Sequence, residues 1–214
     1  MDWTCFAAEK QSRYQEPHGE LDERGIVRQG NVAYAAALGL LMADDPAAGE
    51  WFRSAAERWR ESWDAGAGGD SWGRPVGVLK ASLLAHDDEA VVEYARWTLE
   101  LGASTAESPI GRYAATIALL TLGRWAEARH VVESLRSRDD FPRDVADALA
   151  FISAHDVIGY CESVESVVTS FETRDEFLED VPVADTALVL AELARRRHID
   201  ESLPRSPTLP ALPV

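Results

Sequence analysis

The chain has 214 residues, 46% of them hydrophobic, and no shift in composition divides it, so one core of domain size is expected. Its 37 acids against 21 bases leave a formal charge of -16, which argues against a nucleic-acid partner and against an anionic membrane, since both need clustered Lys and Arg. Only Lys10 and Lys80 accompany nineteen arginines, a bias that fits either a GC-rich genome or an acidic, halophilic surface solvated in a salt-rich cytoplasm.

The first twenty residues read as a short helix, packed by Trp3, Phe6 and Tyr14 and ended by Pro17 and Gly19. A long helix follows from Leu21 to about Ala43; its second half, from Asn31, is apolar nearly all round and should be covered on most sides. Asp44, Asp45 and Pro46 stop it and open the next helix, 46–64, with Pro at the first helical position. There Phe52, Ala56, Trp59 and Trp63 form one apolar stripe, the spacing of a packing face. The Gly-rich run 65–71 lacks the GK[ST] of a phosphate loop and reads as a connector.

Helices are then expected at 72–86, 88–102, 109–122, 124–138, 142–154, 156–172 and 183–198. Ser71, Asp87, Ser108 and Asp156 are the expected N-caps, with Pro109 and Pro142 in first turns. No stretch alternates with period two for long enough to be a strand. In the tail, Pro204, Pro207, Pro210 and Pro213 recur every third residue and would line one edge of a polyproline II segment. With Leu203, Leu209 and Leu212 beside them, they suit docking on the protein itself better than on an external proline-binding module.

One pattern recurs: an apolar pair, a short spacer and a turn residue. It appears at Leu40-Leu41 before Asp44, Leu83-Leu84 before Asp87, Leu119-Leu120 before Gly123 and Phe151-Ile152 before Asp156, with spacings of roughly 43, 36 and 32 residues. These are the periods of stacked helical hairpins. The expected fold is therefore all-α: stacked antiparallel hairpins in a right-handed α-solenoid over residues 1–202, with an extended proline-spaced tail at 203–214 closing one end. The N-terminus carries neither a basic leader nor an apolar run of signal length, which suggests a cytoplasmic chain. Cys5 and Cys161 read as free, buried or half-buried thiols.

The run LGRWAEA at 122–128 resembles the turn of a tetratricopeptide unit, with Tyr113, Ala114 and Leu119 before it and Pro142 after it. Elsewhere Asp87 and Asp156 stand where that unit has Gly123. The segments ALAFISAHDVIGYCESVESVV and VPVADTALVLAELARRRHI, separated by an acidic loop and followed by a Leu-Pro ending, are similar to the C-terminal half of the immunity protein 49 family of bacterial toxin systems. That resemblance implies an all-helical protein that neutralises a partner toxin by binding it. It carries no catalytic residue across.

The acid pairs Asp44-Asp45, Asp87-Asp88 and Asp139-Asp140 all fall at turns, where capping explains them better than acid-base chemistry. His86 and His155 occupy equivalent repeat positions about 8–10 Å apart, too far to share a metal ion, and suit the negative end of a helix dipole. No motif for a metal, a cofactor or a nucleophile is present.

Arginines in first turns run against the dipole preference. Arg74 and Arg112 open the leading helices of two hairpins, and Arg24, Arg28 and Asn31 continue a polar edge on the first long helix. With Tyr34, Trp72 and Tyr113 they outline an arginine-bearing groove for an acidic peptide or a toxin segment. The competing reading pairs these arginines with the chain's own carboxylates. The expected function is non-enzymatic protein binding, with toxin neutralisation as its concrete form. A general cytoplasmic scaffold in a halophile is the alternative, and an enzyme or small-ligand binder with its site in the groove is a third.

Overall fold

A computed structural model describes residues 1–17 and 19–211. About 70% of the described residues are helical and no strand occurs among them; almost all of the helical residues lie in ten α-helices. They are α1 (Trp3–Gln15), α2 (Glu23–Met42), α3 (Ala48–Asp64), α4 (Gly73–Leu84), α5 (Asp88–Glu100), α6 (Pro109–Thr121), α7 (Trp125–Arg136), α8 (Arg143–Ala154), α9 (Val157–Glu172) and α10 (Asp185–Arg196). The expected helices match these to within about two residues at most ends. Each helix from α1 to α9 packs on the next, and α4 also packs on α6.

The recurring apolar pair has a specific structural cause. At the ends of α2, α4, α6 and α8 the chain enters the left-handed region at Asp44, His86, Gly123 and His155, with φ of 56°, 52°, 69° and 59°. The following amide then donates to a carbonyl five residues back: Asp45 to Leu40, Asp87 to Ser82, Arg124 to Leu119 and Asp156 to Phe151, at 2.9–3.3 Å. This closes the helix end by a Schellman turn, which satisfies carbonyls the helix leaves open. α10 ends the same way at His198, with Ile199 donating to Ala194 at 2.9 Å.

His86 and His155 are therefore turn residues beyond the helix end, where histidine is one of the side chains that tolerate positive φ. His155 is exposed and a side chain there costs about 1–2 kcal/mol that glycine avoids. His155→Gly is expected to stabilise the protein by about 1 kcal/mol, visible as a rise of about 2–4 °C in Tm. An unchanged or lowered Tm would show that the histidine makes a contact of its own.

Several expected caps are placed differently. Asp87 and Asp156 do cap, accepting from Ala90 and Gly159 amides at 3.1 and 3.0 Å. Ser71 does not: Trp72 is the residue before α4, and the Ser71 carbonyl accepts from Arg74. Ser108 precedes α6 without a side-chain bond. Pro46 lies in the turn before α3, and Asp45 holds that turn by accepting from the Ala47 amide at 2.9 Å. Asp140 binds Arg138 instead of capping α8.

Two apolar cores meet at α4. Val78 and Ala81 face the N-terminal core of α1–α4, whereas Leu79 and Leu83 face the core built by α5–α10. The N-terminal core includes the expected stripe of α3, and Val181 and Val183 reach into it from the loop between α9 and α10. Within α1 Trp3 and Phe6 stack edge to face at 5.9 Å, and Tyr14 meets Trp51 of α3 at 5.2 Å, which ties α1 to the body.

The last helix determines what remains open. α10 packs on α4, α6, α8 and α9, so it covers the face on which three of the leading helices would otherwise line a groove. Its buried stripe of Ala187, Leu190, Leu193 and Ala194 explains why it lies down there. The tail then returns to its start: the Ala184 amide donates to the Thr208 carbonyl at 2.8 Å, and Leu209 is buried. A turn at Pro207 breaks the polyproline edge that the proline spacing predicts; Pro213 and Leu212 of that reading lie outside the described residues. Cys161 is half-buried as expected, but Cys5 is exposed, because α1 turns it away from α2.

Candidate functional site

The face of α2, α3 and α4 around Tyr34 holds a polar network that links distant parts of the chain. Asp185, the first residue of α10, receives the Lys80 ammonium at 2.5 Å and the Tyr34 hydroxyl at 2.9 Å. Lys80 also donates to the Thr186 hydroxyl at 3.2 Å. The Lys80 and Asp185 side chains are only 13% and 16% exposed, so this is a mostly desolvated ion pair that docks α10 on α4. Burial first, then the Asp185 charge, hold the Tyr34 phenol well above its ordinary pKa; burial does the same for Tyr113. Both remain protonated near neutral pH, and Tyr34 acts as a donor.

Beside this network Trp59 of α3 fills the gap between α2 and α4. A Cβ on Gly30 would come within 2.7 Å of its indole, and one on Gly77 within 2.6 Å, so both glycines exist to admit the ring. The indole Nε1 donates to Asn31 Oδ1 at 3.0 Å.

A second linkage joins α1 to the loop 173–184. Glu179 accepts from Arg13 at 2.7 Å and from Lys10 at 3.4 Å, with Lys10 almost fully buried. Glu179 and Asp180 both have positive φ, 55° and 60°, a conformation held by these ion pairs and by the burial of Val181 and Val183. Both lysines of the chain thus hold the segment that leads into α10.

The residues expected to form an arginine groove divide into four groups. Asn31, Tyr34 and Arg74 come together around one cavity. Arg74 is not free there: it pairs with Glu23 and donates to Ser62 Oγ at 2.8 Å, and Ser62 donates in turn to the Glu23 carbonyl at 2.7 Å. Arg112 donates to the Ala106 carbonyl at 2.8 Å. Trp72 and Tyr113 are buried core rings, against Trp63 at 5.8 Å and Phe141 at 5.4 Å. Arg24 and Arg28 are exposed and lie outside that cavity, Arg24 meeting Glu23 at 3.7 Å. The competing reading, arginines paired with the chain's own carboxylates, describes Arg74 on Glu23; Arg112 meets a backbone carbonyl instead.

Sequence reading missed Lys10, Lys80, Glu179 and Asp185. The available signal was rarity: in a chain that uses arginine almost throughout, the two lysines mark enclosed positions where a compact ammonium fits and a guanidinium fork does not.

Among the described residues no three His, Cys, Asp or Glu side chains stand where they could hold one metal ion, and no helix is long and apolar enough to cross a membrane. Compared with known proteins, the chain matches no family model, no curated protein and no solved structure.

Proposed function

We propose that the protein is a non-enzymatic binding module of stacked helical hairpins that engages a basic protein partner through its acidic outer helices. The observation that carries this is the state of the charges. Arg74 and Arg112 of the leading helices are bound internally and α10 lies over that face, whereas Glu57 of α3 and Glu89, Glu93 and Glu100 of α5 are exposed with no basic partner among the described residues. Such a field speeds encounter with a cationic surface and disfavours wrong partners. The resemblance of the C-terminal half to the immunity protein 49 family, read from the sequence though no family model matches the chain, makes toxin neutralisation the concrete form proposed, with a toxin domain that carries a basic site as the matching partner.

Charge reversal on the outer face tests this reading. Wild type and Glu57→Lys/Glu93→Lys are used to capture partners from the native lysate at low and high ionic strength. The expected result is a basic protein retained by wild type at low salt, released as salt rises, and retained about ten-fold less by the variant. Equal recovery with both proteins, or no partner at any salt concentration, overturns it. Arg74→Glu is unsuitable for this purpose, because it would set two carboxylates against each other beside Ser62.

A further inference from the structure

Two cavities of about 350 Å³ and about 280 Å³ adjoin one another on this face, sharing Asn31, Tyr34, Lys80, Leu178 and Asp185. Together they fall in the size range of small-ligand sites, which begins at about 300 Å³. Leu178 belongs to both and is itself 63% exposed, so the loop that carries it roofs the pair. That loop is secured by Glu179 on Lys10 and Arg13.

The walls differ in chemistry. The larger cavity is apolar on one side, with Val27, Trp59 and Val76. At the junction Asn31 Oδ1 is fixed by the Trp59 indole, which leaves Nδ2 with no acceptor among the described residues. Lys80 and Asp185 neutralise each other and offer no net charge. The smaller cavity adds Phe171 and Phe177 and, from the roof loop, Arg174 and Glu176. Neither of these two has an oppositely charged partner among the described residues. The Arg174 guanidinium lies 3.9 Å from the Phe171 ring centre and otherwise reaches only Ser170 Oγ at 3.5 Å.

A cation and an anion on one cavity wall that leave each other unpaired, beside aromatic rings and an unused amide donor, complement a dipolar molecule with a flat apolar body. We propose that the adjoining cavities bind a free aromatic α-amino acid. Arg174 takes its carboxylate and Glu176 its ammonium. The ring lies against Phe177, and a phenolic oxygen on that ring accepts from Asn31 Nδ2. This site is separate from the acidic outer face, and it stands whether or not a protein partner exists.

Isothermal titration calorimetry with the full chain tests it, using L-tyrosine, L-phenylalanine, tyramine and 3-(4-hydroxyphenyl)propionate as probes. Arg174→Ala and Glu176→Ala change exposed loop side chains, and circular dichroism checks that both variants keep their helices. L-tyrosine is expected to bind at one saturable site, more tightly than L-phenylalanine, with affinity falling about ten-fold in each variant. Tyramine, lacking the carboxylate, should be indifferent to Arg174→Ala, and the propionate, lacking the ammonium, indifferent to Glu176→Ala. No saturable heat with either amino acid, or binding that neither substitution weakens, overturns the proposal.

Discussion

Trp59→Ala is expected to destabilise the protein by about 3–5 kcal/mol, among the largest losses any single truncation in this chain should cause. The indole is only 5% exposed, its faces meet Tyr34 at 5.2 Å, and its edges press on the backbones of α2 and α4 at Gly30 and Gly77. Removing it deletes a large apolar surface and leaves a cavity between three helices that are each held by other contacts and so collapse poorly into it. It also leaves Asn31 Oδ1 without its donor. Urea unfolding followed by circular dichroism measures the loss; a cost under about 1.5 kcal/mol would show that the helices close over the gap.

The same contact makes a reciprocal prediction. Gly77→Ala alone places a Cβ 2.6 Å from the indole, an overpacking expected to cost about 1–3 kcal/mol. In the Trp59→Ala background the clash is gone, and alanine's advantage over glycine in a helix, about 1 kcal/mol, should make the second change neutral or favourable. The two substitutions are thus expected to be strongly non-additive. Additive costs would mean that Trp59 and Gly77 are not the coupled pair the geometry describes.

These contacts mark the boundary of what the sequence could disclose. Helix extents were legible because they follow from local chemistry: the stripe Phe52, Ala56, Trp59, the caps Asp87 and Asp156, and the turns after Leu41, Leu84, Leu120 and Ile152. What each helix faces was not, because it depends on pairs far apart in the chain. Arg74 looked misplaced in a first turn, yet the acid it meets is Glu23, 51 residues earlier on another helix. The stripe of α10 announced that it would be covered, but nothing local says that it lies over α4, α6 and α8. The proline spacing of the tail predicted one straight edge, and the bond from Ala184 to Thr208 bends it at Pro207.

Lys80→Met is expected to cost about 3 kcal/mol, and the reason bears on how α10 is retained. The substitution preserves most of the side-chain volume but leaves the Asp185 carboxylate, 16% exposed, with the Tyr34 hydroxyl at 2.9 Å and no cation. A buried ion pair adds little over an apolar contact of the same shape, because desolvation offsets the attraction; losing one partner is costly because the other charge remains. The triple variant Tyr34→Phe/Lys80→Met/Asp185→Leu removes the whole network and should return to within about 1 kcal/mol of wild type. Hydrogen exchange locates the effect: in Lys80→Met the α10 amides should lose protection before those of α2 and α3, since Asp185 anchors the start of that helix. If Lys80→Met costs less than about 1 kcal/mol, the pair behaves as a solvated surface contact. Apolar burial of Leu190 and Leu193, with the Arg196 ion pair to Asp88, would then hold α10 across the leading helices.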